Sequence, residues 1–142
     1  MVAFTKFSTF IEEIFEGGHA LAGDTIKVAL TNTAPTVATD AAWNLTAHPA
    51  PTAANGYAAG GNSVTMSSSA QTTGTYKLVL ADSTFTATAG GIGPFRYVIL
   101  YNFSKTNKVI GMYDYGSSIT LTNAGDAFTV DFDPTTGAIQ AS

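Results

Sequence analysis

The sequence predicts a mostly β protein, either an antiparallel β-sandwich or a jelly roll, with one amphipathic helix at its N-terminus. Short segments rich in aromatic and β-branched residues recur along the chain, and Gly, Asn, Asp and Pro separate them. Apolar residues spaced by three and four, which indicate a helix, occur only near the start. The length of 142 residues and the 45% hydrophobic content suit one domain with a real core. We therefore expect a single β-sandwich domain over residues 1–142.

The N-terminal helix is predicted over about residues 4–16, where the acidic residues fall mostly opposite an apolar face. A Gly-Gly pair ends it. Thr9 and Glu12 match a capping box, although Thr5 is an equally good first residue. A face this apolar must be buried, and we expect it to cover the open end of its own sheet; the alternative is a groove on another subunit. The face comprises Phe4, Phe7, Phe10, Ile11, Ile14 and Phe15.

A half-buried strand is predicted next, over residues 25–32, because apolar and outward positions alternate there. A long loop rich in Pro, Ala and Thr follows over about residues 33–56. Trp43 is the expected anchor of this loop, packing onto the body of the domain or onto a partner. In the strand, the inward positions are Ile26, Val28 and Leu30, and the outward positions are Lys27, Ala29 and Thr31.

The core of the fold is predicted to be a β-hairpin with arms at residues 95–103 and 109–115. The first arm is apolar on both faces, as in a strand at the middle of a sheet. Arg96, the only arginine, lies within that arm, so we expect it to pair with Asp114 or another carboxylate. Further strands are predicted at residues 63–67, 75–80, 84–88, 118–122, 127–132 and 138–140.

No catalytic arrangement stands out, and the sequence predicts neither an enzyme nor a cofactor. His19 and His48 lie far apart among small residues and fit no ligand or triad spacing, so we interpret them as surface or turn histidines. Asp131 and Asp133 share one side of a strand end and offer oxygens to calcium, yet such acids more often cap turns or face solvent. No metal site is therefore predicted. The absence of cysteine excludes disulfides and thiolate ligands.

The charge pattern argues against nucleic-acid and membrane partners. The net charge is −4, and the six basic residues are scattered instead of forming a stripe. No apolar run reaches the eighteen or so residues of a membrane span, and no signal peptide is evident, so synthesis in the cytoplasm is expected. Only 11% of residues are charged. Such a surface suits a protein that works packed against neighbours, or a secreted β-protein with an uncharged polar surface.

Three segments, together with the Phe-rich N-terminus, resemble small structural proteins encoded among the head genes of tailed bacteriophages. They are DTIKVALTNTAP at residues 24–35, GPFRYVILYN at residues 93–102 and YDYGSSITL at residues 113–121. The resemblance implies a non-enzymatic virion protein of the capsid cement or decoration type. Such a protein would bind the major capsid protein on the capsid surface as a homo-oligomer, a dimer or a trimer.

The candidate interface residues for this function are Phe4, Phe7, Phe10, Trp43 and Arg96. One alternative is a host-binding or carbohydrate-binding module of the phage tail, and another is a small hydrolase. The tail module requires a solvent-facing cluster of aromatic side chains, and the hydrolase requires a cleft with a perturbed acid. The aromatic cluster would be drawn from Trp43, Tyr57, Tyr113 and Tyr115.

Overall fold

The computed structural model describes residues 2–142, and every strand pairing in that range is antiparallel. One α-helix lies near the N-terminus, and a short 3-10 turn joins the two longest strands. The elements are β1 (Phe4–Lys6), α1 (Ser8–Phe15), β2 (Ile26–Thr31), β3 (Asn62–Ser63), β4 (Met66–Thr72), β5 (Thr75–Leu80), β6 (Ser83–Thr86), β7 (Ile92–Asn102), the 3-10 turn (Phe103–Lys105), β8 (Lys108–Leu121), β9 (Ala127–Val130) and β10 (Ile139–Ala141).

The strands form three sheets, in the orders β1-β8-β7-β2-β3, β10-β5-β4 and β6-β9. The two smaller sheets contribute Leu78, Leu80, Phe85 and Val130 to the same buried cluster as the central strands of the large sheet. This arrangement of antiparallel sheets around a common apolar core, with a single short helix, is consistent with the predicted β-sandwich. The sequence-based fold class is confirmed.

The predicted central hairpin is β7 and β8, which lie between β1 and β2 in the large sheet. Both faces of β7 are buried from Tyr97 to Asn102, as its two apolar faces require. The second arm differs from the prediction, because residues 109–115 and 118–121, predicted as separate strands, belong to one strand, β8. Since β7 already begins at Ile92, β8 continues until Leu121 lies opposite Ile92.

Strand β2 is more deeply buried than its alternating pattern predicts. Ala29 and Thr31, expected to face outward, are fully buried. β2 lies inside the sheet between β7 and β3, and other parts of the chain cover its second face. The Thr31 hydroxyl is satisfied there because it donates a hydrogen bond to the Pro49 carbonyl at 2.8 Å. Of the outward set, Lys27 alone is partly exposed.

The predicted helix over residues 4–16 is wrong at its start, because Phe4–Lys6 form β1. These residues extend the large sheet by pairing with the edge of β8, with Phe4 opposite Tyr113. The helix itself begins at Ser8, and no side chain caps it. The Thr9 hydroxyl donates to the Asp40 carbonyl at 2.7 Å, so it does not form the predicted capping box. Backbone pairing with an open strand edge therefore outweighed the helical spacing of the phenylalanines.

The long loop between β2 and β3 packs on the body of the domain through Trp43, as the favoured interpretation predicted. Trp43 is only 3% exposed, and its ring stacks on His48 with centroids 5.6 Å apart. His48 lies at a turn, as one of the two predicted alternatives had it, but it is buried, so the surface alternative was wrong. Its Nε2 lies 2.9 Å from Asp40 Oδ2, which also accepts the Thr36 N–H. The loop is thus held by an aromatic stack and a partly buried polar contact.

Candidate functional site

An apolar groove with a volume of about 550 Å³ separates α1 from the sheet β10-β5-β4. We call it the helix groove. Its floor and far side include loop residues 19–23 and parts of β4, β5 and β10. Lys6 is the one charged side chain among the described residues that line it. The main apolar contributors are Phe10, Ile11, Ile14 and Phe15 from α1, Tyr76 from β5 and Ile139 from β10.

Helix α1 turns only part of its apolar face toward the core. Phe10 is 2% exposed, whereas Ile11 and Ile14 are 45% and 38% exposed and Phe15 is 86% exposed. We call Ile11, Ile14 and Phe15 the helix patch. Contiguous exposed apolar side chains at the mouth of a groove indicate a surface that binds a partner. The helix patch is therefore the candidate functional site.

Several contacts hold α1 in place beneath the helix patch. Phe7, just before the helix, is fully buried, and its N–H donates to the Ile110 carbonyl of β8 at 3.1 Å. The Lys108 ammonium forms an ion pair and hydrogen bond with the Glu13 carboxylate. The Ser8 N–H donates to the Val37 carbonyl of the long loop at 3.0 Å. The patch is thus presented on a helix anchored to both β8 and the long loop.

A buried polar network lies where the loop beside the groove meets the end of β7. The Asn102 side-chain amide donates to Asp24 Oδ2 at 2.6 Å, and its Nδ2 lies 3.1 Å from His19 Nδ1. Because a carboxylate can only accept, Asp24 fixes the orientation of the amide. The second amide N–H then donates to His19 Nδ1, which places the proton of the neutral imidazole on Nε2.

The electrostatics of this network keep His19 neutral and Asp24 charged. Burial lowers the pKa of His19, and the nearby Glu13 carboxylate opposes that shift only in part. Burial also acts to raise the pKa of Asp24, but hydrogen bonds from Asn102 and the Ala20 N–H outweigh it and lower the pKa. The network contains no nucleophile. The network joins the loop that lines the groove to the central hairpin. His19 lies in that loop but is buried, so of the predicted alternatives, surface or turn, the surface one was wrong.

Arg96 pairs with Asp114, as the sequence predicted. Its Nε and Nη2 atoms donate to the two carboxylate oxygens at 2.6 and 2.8 Å. Hydrogen bonds from Arg96 and from the Gly116 N–H hold the pKa of Asp114 at about 2. Both side chains remain more than a third exposed. The pair is thus a surface feature of the hairpin, and a role for Arg96 at an interface stays a prediction.

The other predicted interface residues lie mostly inside the domain. Phe7, Phe10 and Trp43 are buried in the core, so they cannot face a partner in this structure. The ring of Phe4 is partly buried and lies 5.1 Å from that of Tyr113. The helix patch was missed because the whole apolar face of α1 was expected to be covered. The sequence gives no signal of which part of this face stays exposed, because that depends on the sheet packed against α1.

The aromatic residues that a tail-associated binding module would need do not form a solvent-facing cluster. Trp43, Tyr57 and Tyr113 are at most 6% exposed, and Tyr115 is partly buried. The Tyr57 hydroxyl accepts the Leu30 N–H at 3.2 Å, within the core. Burial raises the pKa of Tyr113 to about 12. These side chains serve packing and carry no sugar-binding platform.

One of the two acidic residues considered as calcium ligands, Asp133, has a structural use. Asp133 accepts hydrogen bonds from the Thr135 N–H at 2.7 Å and the Thr136 hydroxyl at 2.8 Å, and so caps a turn. Within residues 2–142, no three or more His, Asp or Glu side chains are grouped in a way that could hold a metal ion. No helix in the same range is long and apolar enough to cross a membrane.

Comparisons with protein-family models, curated protein sequences and solved structures find no match to this chain.

Proposed function

We propose that this chain is a non-enzymatic structural protein of a tailed-phage virion, of the capsid cement or decoration type, and that it binds the major capsid protein through the helix patch. The observation that carries this proposal is the exposure of Ile11, Ile14 and Phe15 on a helix that is fixed to β8 and to the long loop. A rigid apolar surface of this kind binds by complementarity of shape and needs no chemistry.

The composition of the rest of the surface supports the same function. Charged residues make up 11% of the chain, against about a quarter in average soluble domains. Charged side chains are depleted at the centres of protein interfaces, because a charge that loses its water must find a partner. A chain displayed in many copies between shell subunits benefits from this low charge density. The phage assignment itself rests on the resemblance of residues 24–35, 93–102 and 113–121.

The test is a binding measurement between the purified chain and shells assembled from the major capsid protein of the same phage. Full burial of a phenylalanine contributes about 1.5–3 kcal/mol, and each 1.4 kcal/mol changes affinity about tenfold. Phe15→Ser should therefore weaken binding roughly tenfold to a hundredfold. Ile11→Ser should weaken it in the same direction.

Phe103→Ser is the matched control, because Phe103 is also exposed, at 54%, and lies outside the helix groove. This variant should bind the shells as the wild type does. Equal binding by the wild type and both patch variants would refute the role of the helix patch. Failure of the wild-type chain to bind shells at any concentration would refute the capsid function.

A further inference from the structure

Strand β4 is an open sheet edge with none of the usual protection against pairing. It forms one edge of the sheet β10-β5-β4, and no described strand lies on its other side. Its seven residues, Met66–Thr72, include no charge and no proline, and five of them are exposed. Natural proteins protect such edges with charged residues, proline, bulges or short strands. In β4 the single such device is a bulge between Met66 and Ser68, at one end of the strand.

The other sheet edges are better protected. β1, β3 and β10 are only two or three residues long, and β1 includes Lys6. β6 and β9 have four residues each, and the Asn62 side chain donates to the Thr84 carbonyl of β6 at 3.0 Å. Residues 114–121 of β8 extend past β1, but they include the charged Asp114 and Gly116. β4 is therefore the longest strand that forms a sheet edge along its whole length, and it is the edge most available for pairing.

The hairpin turn determines which backbone groups of β4 face outward. Thr72 and Thr75 are directly opposite across a two-residue turn, in which Thr73 and Gly74 both have positive φ. Such a turn is closed by a hydrogen-bonded pair, and hydrogen-bonded and non-hydrogen-bonded pairs then alternate along the ladder. The N–H and C=O groups of Ser69 and Gln71 consequently point away from β5, toward the open edge.

We propose that β4 pairs antiparallel with β4 of a second copy of this chain, across a two-fold axis at Ala70. In this register Ser69 of one copy exchanges backbone hydrogen bonds with Gln71 of the second copy, and the symmetric pair does the same. The small Ala70 side chains meet on the axis. When the same strand of two copies pairs antiparallel, the two copies are related by two-fold symmetry and the assembly ends at a dimer. The open β4 edges of both copies are then covered by the same contact. The absence of charge in β4 means that no like charges oppose each other.

The pairing also sets the orientation of the two helix grooves. An antiparallel strand pair within one continuous sheet has its two-fold axis perpendicular to the sheet, so the same face of each copy lies on the same side. Ser69 and Tyr76 line the helix groove. Both grooves would therefore open on one side of the dimer, which allows two-point attachment to a repeated surface. A single strand pair is small beside a standard interface, so the free dimer forms only at high protein concentration.

The first test is sedimentation velocity on purified full-length protein at low salt, with Ala70→Glu and Ala70→Gln compared. Ala70 lies opposite Lys77 within the monomer, so a glutamate there gains an opposite charge across the strands. On the two-fold axis the same glutamate meets its own copy. The wild type and Ala70→Gln should shift from monomer to dimer as concentration rises, and Ala70→Glu should remain monomeric over the same range.

The second test uses the absence of native cysteine. At a non-hydrogen-bonded antiparallel pair the Cα atoms lie about 4.5 Å apart, which a disulfide can span. Ala70→Cys should form a covalent dimer in oxidised glutathione, whereas Ser68→Cys, two residues from the axis, should not. The proposal is overturned if the wild type stays monomeric at every concentration, if Ala70→Glu dimerises like Ala70→Gln, or if both cysteine variants cross-link equally. These tests use the purified chain alone, so they are independent of capsid binding.

Discussion

Gly111 and the Phe4 ring are in contact. We expect the effect of Gly111→Ala on the free energy of unfolding to change sign when the Phe4 ring is removed. Gly111 lies in β8 opposite Lys6 of β1, and the Phe4 ring packs directly over its Cα. A methyl group added at Gly111 would meet three atoms of that ring, with Cε2 and Cε1 at 2.6 and 2.7 Å. Carbon atoms prefer separations of about 3.5–4.0 Å, so the ring would have to leave its place. The perturbation that tests this contact is Gly111→Ala, alone and combined with Phe4→Ala.

The expected changes in the free energy of unfolding come from two effects, the overpacking of the ring and the lower backbone freedom of alanine. Overpacking of this kind costs about 1–3 kcal/mol, and the backbone preference for alanine offsets roughly 0.5–1 kcal/mol of it, so Gly111→Ala should lower the free energy of unfolding by up to about 2.5 kcal/mol. Without the Phe4 ring the clash disappears, and alanine is favoured over glycine within a strand by roughly 0.5–1 kcal/mol. In the Phe4→Ala background, Gly111→Ala should therefore be neutral or stabilising. The coupling energy between the two sites should reach at least about 1 kcal/mol.

Urea denaturation of the wild type, the two single variants and the double variant measures this coupling. In a domain of this size, 1 kcal/mol corresponds to about 3 °C in Tm, so thermal unfolding gives an independent check. Equal destabilisation by Gly111→Ala in both backgrounds would refute the contact.

Three further predictions concern the ion pair, the buried histidine and the loop anchor. Arg96→Met should raise the pKa of Asp114 from about 2 toward its ordinary value of about 3.9, measured by the carboxyl carbon shift in NMR; an unchanged pKa would contradict the pairing. The pKa of His19 is lower in the folded state than in the unfolded state, so as pH falls His19 is protonated first in the unfolded state. The free energy of unfolding should therefore decrease as pH drops below about 6.5. His19 contributes at most about 1.4 kcal/mol per pH unit to this slope, so the slope should be shallower in His19→Gln; identical slopes in the two proteins would be inconsistent with a buried neutral imidazole. Trp43→Ala should cost about 3–5 kcal/mol of unfolding free energy, and a loss below about 1 kcal/mol would show that the loop does not depend on this anchor.

The central hairpin could be predicted from sequence because its signal is local. Alternating aromatic and β-branched residues in β7 require cover on both faces, and a polar turn follows at once. The burial of Ala29 and Thr31 in β2 could not be predicted in the same way. This burial depends on the long loop that packs over the strand. The pattern of residues in β2 contains no information about Pro49, which lies eighteen residues further along the chain.

The error at the N-terminus has a similar physical origin. Phe4, Phe7 and Phe10 have helical spacing, but the edge of β8 offers unpaired backbone groups and Gly111 leaves room for the Phe4 ring. Both are properties of a strand a hundred residues away. The helix patch was missed for the same reason, since the fraction of α1 that remains uncovered depends on where the sheet β10-β5-β4 ends. The burial of His19 likewise depends on Asn102, which meets it only in the folded chain.

Electron cryomicroscopy of the assembled phage particle tests the proposed docking of the helix patch on the capsid shell. We expect density for this β-sandwich on the shell, with Phe15 and Ile11 of α1 against the major capsid protein. Density for the chain on the tail, or on the shell with the helix patch turned to solvent, would contradict it.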